Sequence, residues 1–392
     1  ALHCAYRAAR YTGTASVGYD LAGRAHMQQG KPAAAVTAFE KAVKASQNDP
    51  RTSDHLMLAL HAAGRAESAV RLARRRMNED PLDLVARALL GLKDDAMERF
   101  ARQARAVLGE DDFELIEAAL TFVELGLLDE ASRVLTAACV EAVPAPRRSP
   151  IALYYLGWLA AARGNQEESQ SWLDQAARTG RPLEFASRIE TLGVLGWAVG
   201  QNPADARAEL QLGNLLAGLG RVDEAAEHWD RAAGLDPKLS VAWRNLALFA
   251  AARQKSLPDA ERFYRKAIAA RPDDQTLYVD LAKVLIELDR RREAIELLET
   301  MPVEGARRAE IIVTLAQAYL DEERYDQCID LLETTPYIVN WEGQDVTWKL
   351  FNQAHIGRGQ KRLEEGDAEA ALADFEAALT YPSNLNVGRP DK

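Results

Sequence analysis

Cysteine is scarce in this chain: Cys4, Cys139 and Cys328 are the only three in 392 residues, and no two form a C-x-x-C pair. An odd count without motif spacing argues against a disulfide framework and fits free thiols in a reducing, cytoplasmic setting. No apolar run approaches the ~18 residues of a membrane-spanning helix, so no span is expected. The first residues mix charged and polar groups without a long apolar stretch, so no secretory signal is expected. Basic excess is also missing. The net charge is −11, which argues against nucleic acid as a partner, because phosphate binding needs a basic face. The six histidines (His3, His26, His55, His61, His228, His355) are scattered. His55 and His61 sit six apart, which does not put them on one helix face, and His3-Cys4 is only a pair where zinc needs three or four ligands. Gly357-Arg358-Gly359 lacks the strand and third glycine of a phosphate loop. No Ser/His/Asp arrangement emerges. Catalytic residues, metal and cofactors are all expected to be absent.

What is present is a repeat. With 48% hydrophobic and 27% charged residues, the chain has ample core-forming material. Around Gly220, the residues Glu209, Leu212, Gly213 and Leu216 precede a turn, and Ala225, Trp229, Ala232 and Pro237 follow it. The same order recurs around Gly64 (Leu56, Met57, Leu60; Ala69, Ala73, Pro81), Gly126 (Leu115, Ala119, Phe122; Ala131, Leu135, Ala138) and Gly164 (Leu153, Gly157, Ala160; Ser169, Leu173, Ala176). It returns in Trp243–Pro272, Tyr278–Pro302 and Ile312–Pro336, with Phe39 and Phe375 marking first and last units. A period near ~34 residues resembles the tetratricopeptide repeat. The fold class expected is all-α, a right-handed α-solenoid of tetratricopeptide-type helical hairpins.

Each repeated residue type has a physical task. Small residues such as Gly157, Gly213 and Ala247 let two helices approach, since interaxial distance follows side-chain size. The aromatics Phe39, Trp229, Tyr264 and Phe375 are expected to fill the wedge between successive hairpins. Proline after the second helix stops it. The acid pairs Asp129-Glu130, Glu167-Glu168 and Asp223-Glu224 fall in first turns of second helices, where negative charge complements the helix dipole. They are read as structural, not as catalytic carboxylates. Cys328 fills a small-residue slot and reads as inert core.

The expected organisation is N-terminal repeats over 1–142, degenerate around 84–109; a proline-rich connector at 143–150; central repeats over 151–336; an inserted loop at 337–347; and a last repeat with a polar tail over 348–392. Residues 12–18 read as an inter-helix loop, and 183–199 supplies less than a full repeat. Residue 1 is Ala, and residues 2–10 read as a second helix without its first, so a piece of a longer protein is expected.

A hairpin stack offers a surface rather than a crevice, so partner-binding residues are sought on the first helices, which line the concave face. Exposed slots there give Arg207, Asn214, Arg244, Asn245, Lys283 and Gln317. This strip resembles, in part, the carboxylate clamp of chaperone-binding tetratricopeptide domains, although Leu248 stands where the clamp would use asparagine. The inserted loop adds Trp341 and Glu342, an aromatic beside a carboxylate. One carboxylate is half of a glycosidase pair.

A second resemblance rests on longer strings. Asp80-Pro81-Leu82 with Ala86-Arg87, Leu192 with Trp197-Ala198, Gln201-Asn202-Pro203, Leu212-Gly213-Asn214-Leu215-Leu216, Trp341-Glu342-Gly343, and Tyr381-Pro382-Ser383-Asn384-Leu385 with Gly388-Arg389-Pro390 occur in that order. They resemble the repeat region of large bacterial proteins whose upstream domain is β-rich and mutarotase-like. That resemblance implies a carbohydrate-related protein in which this region is a non-catalytic interaction scaffold. The expected partners are its own upstream domain, a second copy in a homo-oligomer, or a peptide segment. The alternatives are a glycoside-processing enzyme that the repeats help to complete, through Trp341 and Glu342, and a co-chaperone-like peptide-binding module.

Overall fold

A helix whose apolar residues form a single stripe must bury it, and the cheapest cover is the next helix along the chain. The computed structural model describes residues 1–46, 49–109, 111–179, 184–302, 308–336 and 345–385. Among the described residues it contains helices, short helical turns and connecting segments, and no strand. Two units emerge, Ala1–Leu215 and Leu216–Lys392.

The first unit opens with α1 (Leu2–Ala8) against α2 (Ala15–Gln28). α2 forms a hairpin with α3 (Pro32–Ser46). Four further hairpins follow: α4 (Pro50–Ala62) with α5 (Ala66–Glu79), α6 (Leu84–Lys93) with α7 (Met97–Leu108), α8 (Phe113–Glu124) with α9 (Leu128–Leu135), and α10 (Pro150–Ala162) with α11 (Gln166–Arg178). α12 (Thr191–Gln201) packs on α10 outside this pairing, and α13 (Ala206–Gly218) crosses the division between units.

The second unit holds α14 (Val222–Leu235), then α15 (Ser240–Phe249) with α16 (Leu257–Ala270), α17 (Gln275–Glu287) with α18 (Arg291–Thr300), α19 (Ala309–Asp321) with α20 (Tyr325–Thr334), and α21 (Val346–Glu364) with α22 (Ala368–Ala378). One apolar core runs through it, from Ala247 by way of Leu281, Leu298 and Leu315 to Leu385.

The turns explain the glycines. A helix that ends in a left-handed residue satisfies its orphan carbonyls with two backbone N–H groups. Gly30, Gly64, Gly126, Gly164, Gly220 and Gly366 all take positive φ. At Gly64 the pair of bonds is Gly64 N to His61 O at 3.0 Å and Arg65 N to Leu60 O at 2.9 Å. Where glycine is missing the geometry persists. Asp95, Asp289 and Glu323 take φ of 48°, 62° and 55° at the equivalent turns, and Ala96 N still reaches Gly91 O at 2.8 Å. The stretch 84–109 therefore closes a hairpin without a turn glycine. The acid pairs lie in the first turns of α9, α11 and α14.

Three expectations change. Residues 12–18 are not one loop: Thr12–Thr14 make a single 3-10 turn, and α2 already begins at Ala15. Gly18 is in that helix because a Cβ there would lie 2.4 Å from the Ala9 backbone. The aromatic of the repeat does not only wedge between hairpins. Phe39 lies over Gly23 of its own hairpin, where a Cβ would sit 2.4 Å from the ring, and the His55 ring of the next hairpin lies 5.4 Å from it. The C-terminal tail is not simply polar: Tyr381 stacks on Trp348 at 4.8 Å, Asn384 Nδ2 donates to Leu332 O and Thr335 O at 2.8 and 2.9 Å, and Leu385 is fully buried.

Candidate functional site

The strip read from the sequence is distributed over both units. Arg207 and Asn214 lie half-buried on α13, in the first unit. Arg207 Nε donates to Ala177 O at 3.2 Å, which closes the end of α11 rather than facing a ligand. In the second unit Arg244 and Asn245 are half-buried on α15, and Lys283 and Gln317 are exposed on α17 and α19. Arg244 Nε pairs with Asp280 Oδ2 at 2.8 Å, and Gln317 Nε2 donates to Asp321 Oδ1 at 2.7 Å. Two polar groups of the strip are thus committed to neighbouring carboxylates. Trp341 and Glu342 lie outside the described residues. The thiols of Cys139 and Cys328 are buried, and burial pushes Cys328 up to about 12.

The first unit carries a more organised arrangement on its first helices. On α8, Leu115, Ile116, Ala118, Ala119 and Phe122 are buried, which leaves Phe113, Glu117, Leu120 and Glu124 on the other face, at helical spacing. Glu124 is the meeting point at the end of that face. Arg51 Nη2 on α4 donates to both its oxygens at 2.8 and 3.0 Å, and His55 Nε2 lies 3.3 Å away. His55, with no exposed surface, continues through Nδ1 to Asp20 on α2 at 2.6 Å, and Arg24 holds the other oxygen of Asp20 at 3.1 Å. Burial raises the Glu124 carboxyl, but His55 and Arg51 outweigh it and hold the group at about 2. Burial would lower His55, but its bonds to Asp20 and Glu124 raise it above its ordinary value. The histidine read as scattered is the centre of a network joining three helices.

Beside Glu124 a groove of about 260 Å³ opens between α8, α10 and α12. Leu120, Val123, Tyr155, Trp158 and Val194 give it apolar walls, Gly193 lies at its edge, and Glu124, Glu190 and Arg188 add charge. α10 is fixed from behind. Tyr154 OH donates to Asp205 Oδ2 at 2.9 Å, Tyr155 OH meets Thr191 Oγ1 at 2.8 Å, and both tyrosine side chains are buried. Asp205 in turn accepts from Arg207 N and Ala208 N, both at 3.0 Å, which starts α13. Gln211, one turn along, is therefore held in place relative to α10.

The segment between α11 and α12 crosses this surface without regular structure over residues 184–188. Gln211 Nε2 donates to Glu184 O at 2.7 Å, and its Oε1 accepts from Ala186 N at 3.3 Å. Ser149, the N-cap of α10, also bonds the Glu184 carboxylate. Arg188 pairs with Glu117, lies 3.4 Å from Glu190, and sits 5.9 Å from the centre of the Phe113 ring. A second cavity of about 650 Å³ lies along the segment, lined by Asp111, Phe113, Ile116, Arg147, Ile151 and Phe185 among others. None of Glu117, Glu124, Trp158, Arg188 or Gln211 stood out in the sequence. The one available signal was the incomplete repeat over 183–199, which leaves first-helix surface without its usual neighbour.

Among the described residues, no helix is long and apolar enough to cross a membrane. A curated relative, the human protein O-mannosyl-transferase TMTC3, is 25% identical over 157 residues, which cover 36% of this chain and 17% of the relative. The chain thus spans about a sixth of the length of the curated relative it matches. Solved structures similar to it include the tetratricopeptide repeat protein YrrB, described as having an unusual peptide-binding site (18% identity, 47% of this chain and 90% of that one, TM-score 0.37). Yeast Tom70 is another, at 16% identity over 94% of this chain and 92% of that one, with TM-score 0.31. A tetratricopeptide repeat protein from Parabacteroides merdae is a third, at 17% identity over 68% and 91%, with TM-score 0.34. Tetratricopeptide repeat models match residues 21–80, 116–182, 192–240 and 210–275, and a further one matches 251–311. These matches take in more than half of the chain, which therefore belongs to the tetratricopeptide repeat family, a scaffold for protein–protein interaction.

Proposed function

We propose that the chain binds an extended segment of a partner polypeptide on the first-helix face of its first unit, seating an apolar side chain between Leu120, Val123, Tyr155, Trp158 and Val194. The observation that carries this reading is the grip of Gln211 on the irregular backbone of residues 184–186, which continues to Arg188 at the wall of that groove. A side-chain amide offers one donor and one acceptor direction, so it can hold a carbonyl and a nearby N–H whatever their side chains. The adjacent apolar walls supply the selective part, as alternating pockets do for other extended peptides.

Gly193 allows a clean test. A Cβ built there meets nothing within 4 Å, so Gly193→Leu adds bulk at the edge of the groove from a position that opens into free space. Peptides selected on the intact chain from a displayed random library should carry an apolar anchor residue. They should bind Gly193→Leu and Trp158→Ala at least ~10-fold more weakly, a loss of about 1.4 kcal/mol. Selected peptides that bind all three proteins equally would move the partner site off this groove.

The setting in a larger bacterial carbohydrate-related protein, a cytoplasmic location and assembly into a homo-oligomer are proposals that rest on the sequence alone. Within the second unit, Lys283 on α17 and Gln317 on α19, both exposed, are a second proposed contact surface, of which Lys283 is the member best placed to meet a partner.

A further inference from the structure

We propose that residues 184–188 are a resident ligand that partner segments displace, and that the surface beneath them takes chains of the same order: a carboxylate, a small residue two positions on, and an arginine four positions on. This rests on the reading of the first-helix face as a site for extended segments. Three observations support it.

The segment is held as a bound peptide is held. Its backbone has no regular structure of its own, and the buried Gln211 contacts it at Glu184 O and Ala186 N instead of any regular ladder. Its two ends carry opposite charges, and each is met by a polar partner. The Glu184 carboxylate is bonded by Ser149 at the start of α10, beside Arg147, and the Arg188 guanidinium pairs with Glu117 and lies near Glu190. Charge-assisted bonds of this kind are the strong ones.

The segment is not held by its apolar side chains. Phe185 and Ile189 remain 52% and 64% exposed, whereas only Ala186, the small residue between the charged ends, is buried. Contacts made of backbone bonds, a hydroxyl–carboxylate bond and a charge pair can be reproduced one for one by an incoming chain. Finally, the cavities of about 650 and 260 Å³ that flank the segment leave room for a partner to extend beyond what the segment itself covers.

Tethering gives the resident segment an effective concentration of order millimolar, so a free peptide of modest affinity should not enter the wild-type protein. The probe is a fluorescein-labelled peptide with the sequence of residues 184–190, followed by anisotropy on the full chain. Two variants empty the surface: one replaces 184–188 by glycine and serine at equal length, and the other is Arg188→Glu, which leaves the backbone unchanged. The peptide should bind the first variant at least tenfold more tightly than wild type and Arg188→Glu to an intermediate degree. Adding Gln211→Ala to the first variant should abolish binding, and a scrambled peptide should not bind. Equal binding to wild type and both variants would overturn the proposal, as would no binding to variants whose circular dichroism matches wild type. If the length-matched variant does not fold, Arg188→Glu carries the same comparison alone. Gly193→Leu leaves the segment and its Gln211 contact intact, so loss of the apolar groove and loss of the resident ligand are read separately.

Discussion

At the scale of single residues, the repeat is a set of steric permissions. Gly23 is required because Phe39, fully buried, occupies the space a side chain would need. The His55 ring, 5.4 Å away, is a second packed neighbour that limits how far the Phe39 ring can shift. Gly23→Ala should therefore cost ~1–3 kcal/mol, the usual penalty for overfilling a packed core, measured as a lower urea midpoint with unchanged slope. An unchanged midpoint would mean the ring can shift after all. Gly357 and Gly359, which superficially suggest a phosphate loop, have the same explanation. They are helical residues of α21 facing Tyr325 and Phe375, with Cβ distances of 2.5 and 2.7 Å. Spacing revealed that something small was wanted at these places; only the packing shows which aromatic wants it.

At the scale of elements, the turn geometry is imposed by the two helices it joins and not by the residue that occupies it. Six turns use glycine, and others force Asp95, Asp289 and Glu323 into the left-handed region. Outside glycine that region costs roughly 1–2 kcal/mol, partly offset by the entropy glycine loses on folding. Glu323→Gly should then stabilise the second unit by about 0.5–1 kcal/mol in chemical denaturation; a loss of stability would show that the Glu323 side chain contributes more than its backbone costs. The same tertiary control explains why the candidate site escaped the sequence. Hydrophobic spacing located α8, α10 and α12 well enough, but Glu124, Trp158 and Gln211 are ordinary residues of their helices. Their importance arises from being opposite Arg51, Val194 and the backbone of residues 184–186, none of which is close to them in sequence.

At the scale of the whole molecule, buried titratable groups in the first unit make stability depend on pH. Burial and the neighbouring Asp83 raise Asp54 from 3.8 to about 7, against the pull of Arg76. Folding favours its protonated form, so its contribution falls as pH rises from about 4 towards 7. His55 acts in the same direction: its raised value gives stability that is complete below 6.5 and is lost as pH climbs through the folded value. Glu124, held at about 2, gives stability that is present above 4.5 and lost only as pH falls towards 2. The first unit should thus be most stable in mildly acid solution, near the lower end of about 4.5 to 6.5, with Glu124 limiting it below, Asp54 weakening it across that range and His55 above it. Thermal melts at pH 5.5 and 8.5 should differ by roughly 1–3 kcal/mol in favour of the lower pH. Asp54→Asn should raise stability at both pH values, and more at pH 8.5 than at pH 5.5. A wild-type protein that gains stability towards alkaline pH would contradict this assignment.

The sequence by itself determined the all-α class, the hairpin unit and most of the turns, because local spacing, small residues and left-handed glycines act within ~34 residues. It also placed the acid pairs at helix starts, where the cause is again local. Tertiary structure alone decided that His55 joins three helices, that the Tyr381–Leu385 stretch packs back on α20 and α21, and that residues 184–188 lie across the first-helix face. Each of these depends on groups separated by many residues along the chain and made neighbours by stacking. In a repeat protein the pattern within a unit is written in each unit. What the stacked units enclose is set by how their surfaces meet.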